Sequence, residues 1–180
     1  MKKEKITVAL DLDGVIWDLV NPWVNEYNRI YKDNLSYEDI TDYDLSKFMT
    51  KIPNGDYWWF LNYGWFWNLV EPFENSYEYM KRLNEDYNLV VATKTHYNLY
   101  KMKVELLLAY FPFLDYNQII CIGDKSLLNV DFLVDDCLDN LKGGKFIPIV
   151  LDAPYNRDSD YLRAKDLKEV YELIKEIEHA

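Results

Sequence analysis

Short, uninterrupted apolar runs alternate along this chain with longer amphipathic stretches. Ile6-Thr7-Val8-Ala9-Leu10 runs directly into Asp11-Leu12-Asp13-Gly14, and residues 89–92 end at Thr93. Residues 118–122 end at Gly123-Asp124-Lys125, residues 132–134 at Asp135-Asp136, and residues 146–151 supply a fifth run. Runs this short, stopped by a glycine or an acid, predict strands. They are apolar throughout rather than alternating, so both faces must be covered, as in a parallel sheet. Helical spacing predicts helices over residues 18–32, 74–86, 99–111 and 166–178. The second carries Tyr77, Met80 and Leu83 at three-residue steps, and the third puts Met102, Leu106 and Tyr110 on one face. Such alternation predicts an α/β, doubly wound, mainly parallel and Rossmann-like sheet. Functional groups in such sheets gather at the carboxyl ends of the strands. Here those ends read Asp11/Asp13, Thr93, Asp124/Lys125 and Asp135/Asp136.

The alternation fails in one place. Nearly eighty residues separate the first and second runs, far more than a crossover helix requires. Within them lie a helical stretch, an acidic and polar segment (36–48) and an aromatic-dense one (57–67). We expect residues 18–72 to form a small, mainly helical cap inserted after the first strand. Residues 1–17 and 73–180 then form the α/β core.

Composition narrows the function. The 180 residues carry 20 basic and 31 acidic side chains, a net charge of −11. A nucleic-acid polymer needs a basic track along its phosphates, and an anionic membrane also repels such a surface. Neither is an expected partner. Ile6 to Leu10 is too short for a signal peptide, which needs an apolar region of about 7–15 residues. Cys121 and Cys137 are too few for a disulfide framework and too far apart for a zinc knuckle. A cytoplasmic protein with reduced thiols is expected. His96 and His179 are the only histidines, which leaves little for zinc or serine–histidine chemistry.

The acids carry the chemical argument. Asp11 and Asp13 alternate past one side of a strand end before Gly14 turns the chain. Two like charges at about 4 Å repel by ~4 kcal/mol at an effective dielectric of 20. With Asp135 and Asp136 added, four carboxylates converge, and only a divalent cation or proton sharing stabilises that arrangement. Oxygen ligands without histidine or cysteine select Mg²⁺, which keeps positions open for a phosphate oxygen and water.

Asp11-Leu12-Asp13-Gly14-Val15 resembles the first signature of the haloacid dehalogenase (HAD) superfamily of phosphotransferases. Thr93, a helix lysine and the Asp135-Asp136 pair follow in that superfamily's order. The chain is more similar still to the 5′(3′)-deoxyribonucleotidase family. The resemblance is carried by residues 11–18, by Leu69-Val70-Glu71-Pro72, by 119–125, by 132–136 and by Tyr155-Asn156-Arg157. It implies a HAD-like fold and a Mg²⁺-dependent phosphomonoesterase acting on deoxyribonucleoside 5′- or 3′-monophosphates through an aspartyl-phosphate. By that resemblance Asp11 is the nucleophile and Asp13 the general acid and base. Mg²⁺ is held by the Asp11 side chain, the Asp13 carbonyl and the Asp135-Asp136 pair, through Asp136 foremost. Thr93 binds a phosphate oxygen, Lys103 is the motif lysine (with Lys101 as the lesser candidate), and Lys125 is a second cation at the phosphate. Lys94 stands where these nucleotidases usually carry a small hydroxyl residue, turned either to solvent or to the substrate. Leu19 stands where an aromatic commonly lines the base pocket.

Eight of the eleven residues from Tyr57 to Trp67 are aromatic. Most are expected to fill the core of the cap. Trp65, Phe66 or Trp67, with Tyr43 from the other cap segment, are expected to stack on a nucleobase. Trp17 and Trp23 are read as packing, and His96 as a solvated loop residue. The alternatives are a phosphatase for another small phosphate such as a sugar phosphate, a receiver-like phosphoacceptor and a silent binding module. The sequence leaves a homodimer open.

Overall fold

The computed structural model describes residues 5–179. Six parallel strands form the main sheet, in the order β5-β4-β1-β6-β7-β8. They are β1 (Thr7–Leu10), β4 (Asn88–Thr93), β5 (Ile119–Cys121), β6 (Phe132–Asp135), β7 (Ile147–Leu151) and β8 (Leu162–Ala164). A separate antiparallel ribbon pairs β2 (Trp17–Asp18) with β3 (Glu71–Pro72). The helices are α1 (Val20–Tyr31), the single turn α2 (Gly64–Trp67), α3 (Ser76–Asp86), α4 (Tyr97–Tyr110) and α5 (Leu167–Glu178). This is the expected mainly parallel α/β fold, with one strand more than the apolar runs indicate. The additional strand, β8, reads Leu-Arg-Ala and lies at the sheet edge. An edge strand of three residues with a charged centre has no apolar run to reveal it.

Both sheet faces are buried, for the reason the apolar runs imply. Val8 and Leu10 of β1 pack into one cluster and Ala9 into another. The buried apolar residues of α3, α4 and α5 all belong to the Val8/Leu10 side. The opposite side is closed by Leu141 and Phe146 in loops and a 3₁₀ turn, not by α-helices.

Residues 18–72 contain α1, a series of 3₁₀ turns and α2. The β2–β3 ribbon ties the two ends of this segment together. Phe73 N and Ser76 Oγ both donate to the Ile16 carbonyl, at 3.1 and 3.0 Å, and fix its exit next to its entry. The buried side chains Trp23, Tyr27, Ile40, Phe60 and Phe66 are continuous with the cluster on the sheet.

Candidate active site

Strand register brings the acids together. Leu10 pairs with Val134 of β6 and with Val91 of β4, so Asp11 emerges level with Asp135 and with Ala92, one residue before Thr93. Asp11 N donates to the Val134 carbonyl at 2.8 Å, which fixes its height. Oxygens of Asp11, Asp135 and Asp136 all lie within 4.8 Å of one another, and all three residues are buried. Gly14 follows at φ +77°. A Cβ there would collide with the Asp136 carboxylate, so the position needs glycine both for its backbone and for the acid it admits.

Two buried lysines compensate the acids. Lys125 opens a 3₁₀ turn after β5, capped by Asp124, whose side chain accepts from Ser126 N at 3.0 Å. Its Nζ donates to Asp135 Oδ2 at 2.5 Å and to Asp11 Oδ1. Lys103, on α4, donates to Asp13 Oδ2. Lys101 instead points outward and pairs with Glu105 at 3.6 Å, which removes it as a site residue. Asp13 Oδ1 accepts the Trp17 indole N–H at 2.8 Å. Asp135 is fully engaged, because it also accepts from Cys137 N at 2.9 Å and from Asn140 Nδ2 at 3.1 Å.

Asp136 differs. Its Oδ2 accepts from Tyr155 Oη, whereas its buried Oδ1 has no hydrogen-bond partner. Thr93 Oγ1 is the second such atom among the described residues. A buried carboxylate oxygen without a donor, facing two further acids, suits a hard cation; a buried orphan hydroxyl suits a phosphate oxygen. These residues therefore fit a divalent metal ion.

Electrostatics agrees with that fit. Burial pushes the Asp11 carboxyl up to about 7; Lys125 works against the rise, and the neighbouring Asp135 and Asp13 add to it. Burial, then Asp135 and Asp11, hold Asp136 well above the usual carboxylate range. Burial disfavours the Lys125 ammonium, yet the charges of Asp11 and Asp135 leave its pKa raised. In the absence of a cation, part of this cluster is protonated near neutrality.

A cleft of about 720 Å³ opens over Asp13, Lys103 and Asp136. Its apolar lining includes Trp23, Tyr57, Trp58 and Leu61, with Leu19 and Tyr43. Trp58 packs against Trp23 and Tyr57 at ring separations of 5.5 and 4.9 Å. Leu19, Tyr43 and Lys94 line the cleft.

The expectation for Trp65, Phe66 and Trp67 is corrected, since none of the three lines the cleft. In the single turn of α2, Phe66 is fully buried and Trp67 nearly so, while Trp65 stacks outward on Tyr63. Aromatic density carries no period, so it could not show which rings turn inward. Trp67 still reaches the site indirectly, with Lys103 Nζ 5.3 Å from its ring. His96 lines the cleft beside Asn98. Trp23 packs the core and faces the cleft as well. Tyr155 went unassigned in the sequence, where only its place in the Tyr-Asn-Arg stretch after the last apolar run marked it.

A six-stranded parallel sheet with its acids at the strand ends defines an α/β protein of the haloacid dehalogenase-like fold. A haloacid dehalogenase-like hydrolase from Streptococcus pneumoniae superposes with a TM-score of 0.63 at 13% identity, covering 94% of this chain and 98% of that one. One from Burkholderia xenovorans also gives 0.63 at 13% identity, over 97% and 98%. The sequence profile of the family "5' nucleotidase, deoxy (Pyrimidine), cytosolic type C protein" matches residues 4–179, and the chain belongs to that family. A 5'(3')-deoxyribonucleotidase of Bacillus subtilis (strain 168) is 31% identical over 92% of this chain and 96% of its own length. One from Clostridium acetobutylicum is 32% identical over 96% and 97%. Membership makes the chain a nucleotide phosphatase, a phosphoric monoester hydrolase, and sets aside the receiver and binding-module alternatives. No helix among the described residues is long and apolar enough to cross a membrane.

Proposed function

We propose that this chain removes phosphate from deoxyribonucleoside 5′- or 3′-monophosphates, with Mg²⁺ as cofactor. The observation that carries this reading is one cleft lined by Asp13, Lys103 and Asp136 together with the aromatic side chains of Trp23, Tyr57 and Trp58. The curated relatives named for the same activity, matched over nearly their whole length, support it.

Asp11 Oδ2 attacks phosphorus in line, the P–O bond to the nucleoside breaks, and an aspartyl-phosphate forms. Asp13 gives its proton to the departing alkoxide and becomes a carboxylate. It then takes a proton from the water that attacks the phosphorus, which frees the Asp11 carboxylate. Thr93 Oγ1 donates to a phosphate oxygen, and Lys103 and Lys125 offset the charge of the dianion. Lys94 faces the phosphate from the rim. Asp11, the Asp13 carbonyl and Asp136 Oδ1 would hold the cation, while Asp135 fixes Lys125 and the loop after β6. When bound, Mg²⁺ neutralises phosphate charge and keeps Asp11 ionised.

Residues 18–72 act as the cap that carries the base wall of Trp23, Tyr57 and Trp58, with Leu19 and Tyr43 nearer the sugar. Stacking on such a wall is worth about 1–3 kcal/mol per base and tolerates different bases. The two free thiols, Cys121 and Cys137, support a cytoplasmic setting.

The test is phosphate release, with Mg²⁺, from a panel of deoxynucleoside 5′- and 3′-monophosphates, sugar phosphates and 4-nitrophenyl phosphate. Deoxynucleotides are expected to turn over best, and Asp11→Asn to abolish turnover of all. Preference for a sugar phosphate would overturn the substrate, and wild-type turnover in Asp11→Asn would overturn the mechanism.

A further inference from the structure

Asp13 is held by two donors of different kinds. The Trp17 indole N–H occupies Oδ1 at 2.8 Å, and the Lys103 ammonium occupies Oδ2. An indole N–H can donate but cannot accept, so it can receive no proton from the carboxyl and pairs best with its unprotonated oxygen. A lysine on four flexible carbons can move to a phosphate arriving beside it. Oδ1 is therefore reserved, and Oδ2 is the oxygen able to carry the transferable proton once the substrate draws Lys103 away.

Trp17 is itself immobile. It is fully buried, its ring lies 6.1 Å from that of Trp67, and it pairs with Pro72 across the β2–β3 ribbon. The turn carrying the acids is closed onto it, because Gly14 N donates to the Trp17 carbonyl at 3.0 Å and Trp17 N to the Leu12 carbonyl at 3.3 Å. A rigid ring thus fixes the χ angles of the side chain four residues before it.

We propose that Trp17 is a positioning residue: its indole N–H pins Asp13 Oδ1 and thereby presents Oδ2 to the leaving oxygen of the substrate. This rests on the reading of Asp13 as general acid. When the P–O bond breaks, the proton on Oδ2 passes to the departing alkoxide, and Asp13, now a carboxylate, keeps the Trp17 N–H on Oδ1. A leaving group that departs readily as an anion does not need that proton.

The experiment compares kcat/KM for a deoxynucleoside monophosphate and for 4-nitrophenyl phosphate in wild type, Trp17→Phe and Asp13→Asn. This constant covers only the steps up to departure of the alcohol, so the later role of Asp13 towards water does not enter. Misplacing a reacting group by about 1 Å costs up to ~100-fold. Trp17→Phe is expected to lower the nucleotide value by about tenfold or more, and the aryl ester value by much less. Both esters are measured on one preparation, so their ratio does not depend on how much of the variant folds. Trp17→His, which keeps a ring N–H, is expected to move the ratio back towards wild type. Equal slowing of both esters by Trp17→Phe, or no slowing, overturns the proposal. Equal slowing by Asp13→Asn instead overturns the general-acid reading beneath it.

Discussion

Lys125 bridges carboxylates from two strands, with its Nζ 2.5 Å from Asp135 Oδ2 and also bonded to Asp11 Oδ1. All three side chains are buried. Removing one partner of a buried ion pair costs about 3–5 kcal/mol, because the remaining charge is stranded. Lys125→Met is therefore expected to lower the stability of the metal-free protein by that order, measured by urea unfolding. An unchanged midpoint at equal m-value would show that proton sharing, not Lys125, balances the acids.

The same acids give stability a pH dependence in the metal-free protein. The folded-state pKa of Asp11 is raised to about 7 from an ordinary 3.8, and that of Asp136 is raised too, with burial as the main cause. A raised folded-state pKa favours folding at low pH, and the advantage is lost as pH climbs towards that value. In chelator, the melting temperature is expected to fall between about pH 4 and pH 7. Asp136→Asn, which cannot ionise, should flatten the fall, and added Mg²⁺ should raise the melting temperature most at the alkaline end. A melting temperature that rises over this range in chelator would contradict the buried, cation-seeking cluster.

Thr93 offers a test in which stability and function move apart. Its buried Oγ1 has no partner, a cost of roughly 1–3 kcal/mol in an apolar setting. Thr93→Val keeps the branched shape at the end of β4 and removes the orphan atom. The variant is expected to be at least as stable as wild type on thermal melting, yet to bind phosphate esters more weakly, with KM raised about tenfold. Loss of stability with unchanged KM would place the hydroxyl in the fold rather than at the phosphate.

Much of this was legible in the sequence because parallel strands write their ends plainly. An apolar run stopped by an acid fixes both the strand and the side chain that emerges from it, and so Asp11, Lys125, Asp135 and Asp136 meet. Lys103 needed the helix phase as well, which directs it inward while Lys101 points out. The aromatic segment was harder to read. Its rings lie in 3₁₀ turns and a single α-turn, where no repeat separates inward from outward faces, so Trp65, Phe66 and Trp67 stood for the wall that Trp23, Tyr57 and Trp58 form. The Trp17–Asp13 bond escaped too, because a fully buried tryptophan reads as packing until its N–H is followed to its acceptor.

That wall gives the last prediction. Trp58 is 54% exposed and rests on Trp23 and Tyr57, so its loss should scarcely affect folding. If a base stacks there, Trp58→Ala forfeits about 1–3 kcal/mol of binding, a KM rise of roughly 5- to 150-fold for deoxynucleotides. The same variant should leave 4-nitrophenyl phosphate within about twofold of wild type, since that ester carries no nucleoside for the wall to hold. Trp65→Ala, outside the cleft, should change neither substrate. Steady-state kinetics on the two esters decides the matter. A KM rise in Trp65→Ala but not in Trp58→Ala would return the base to the site the sequence first suggested.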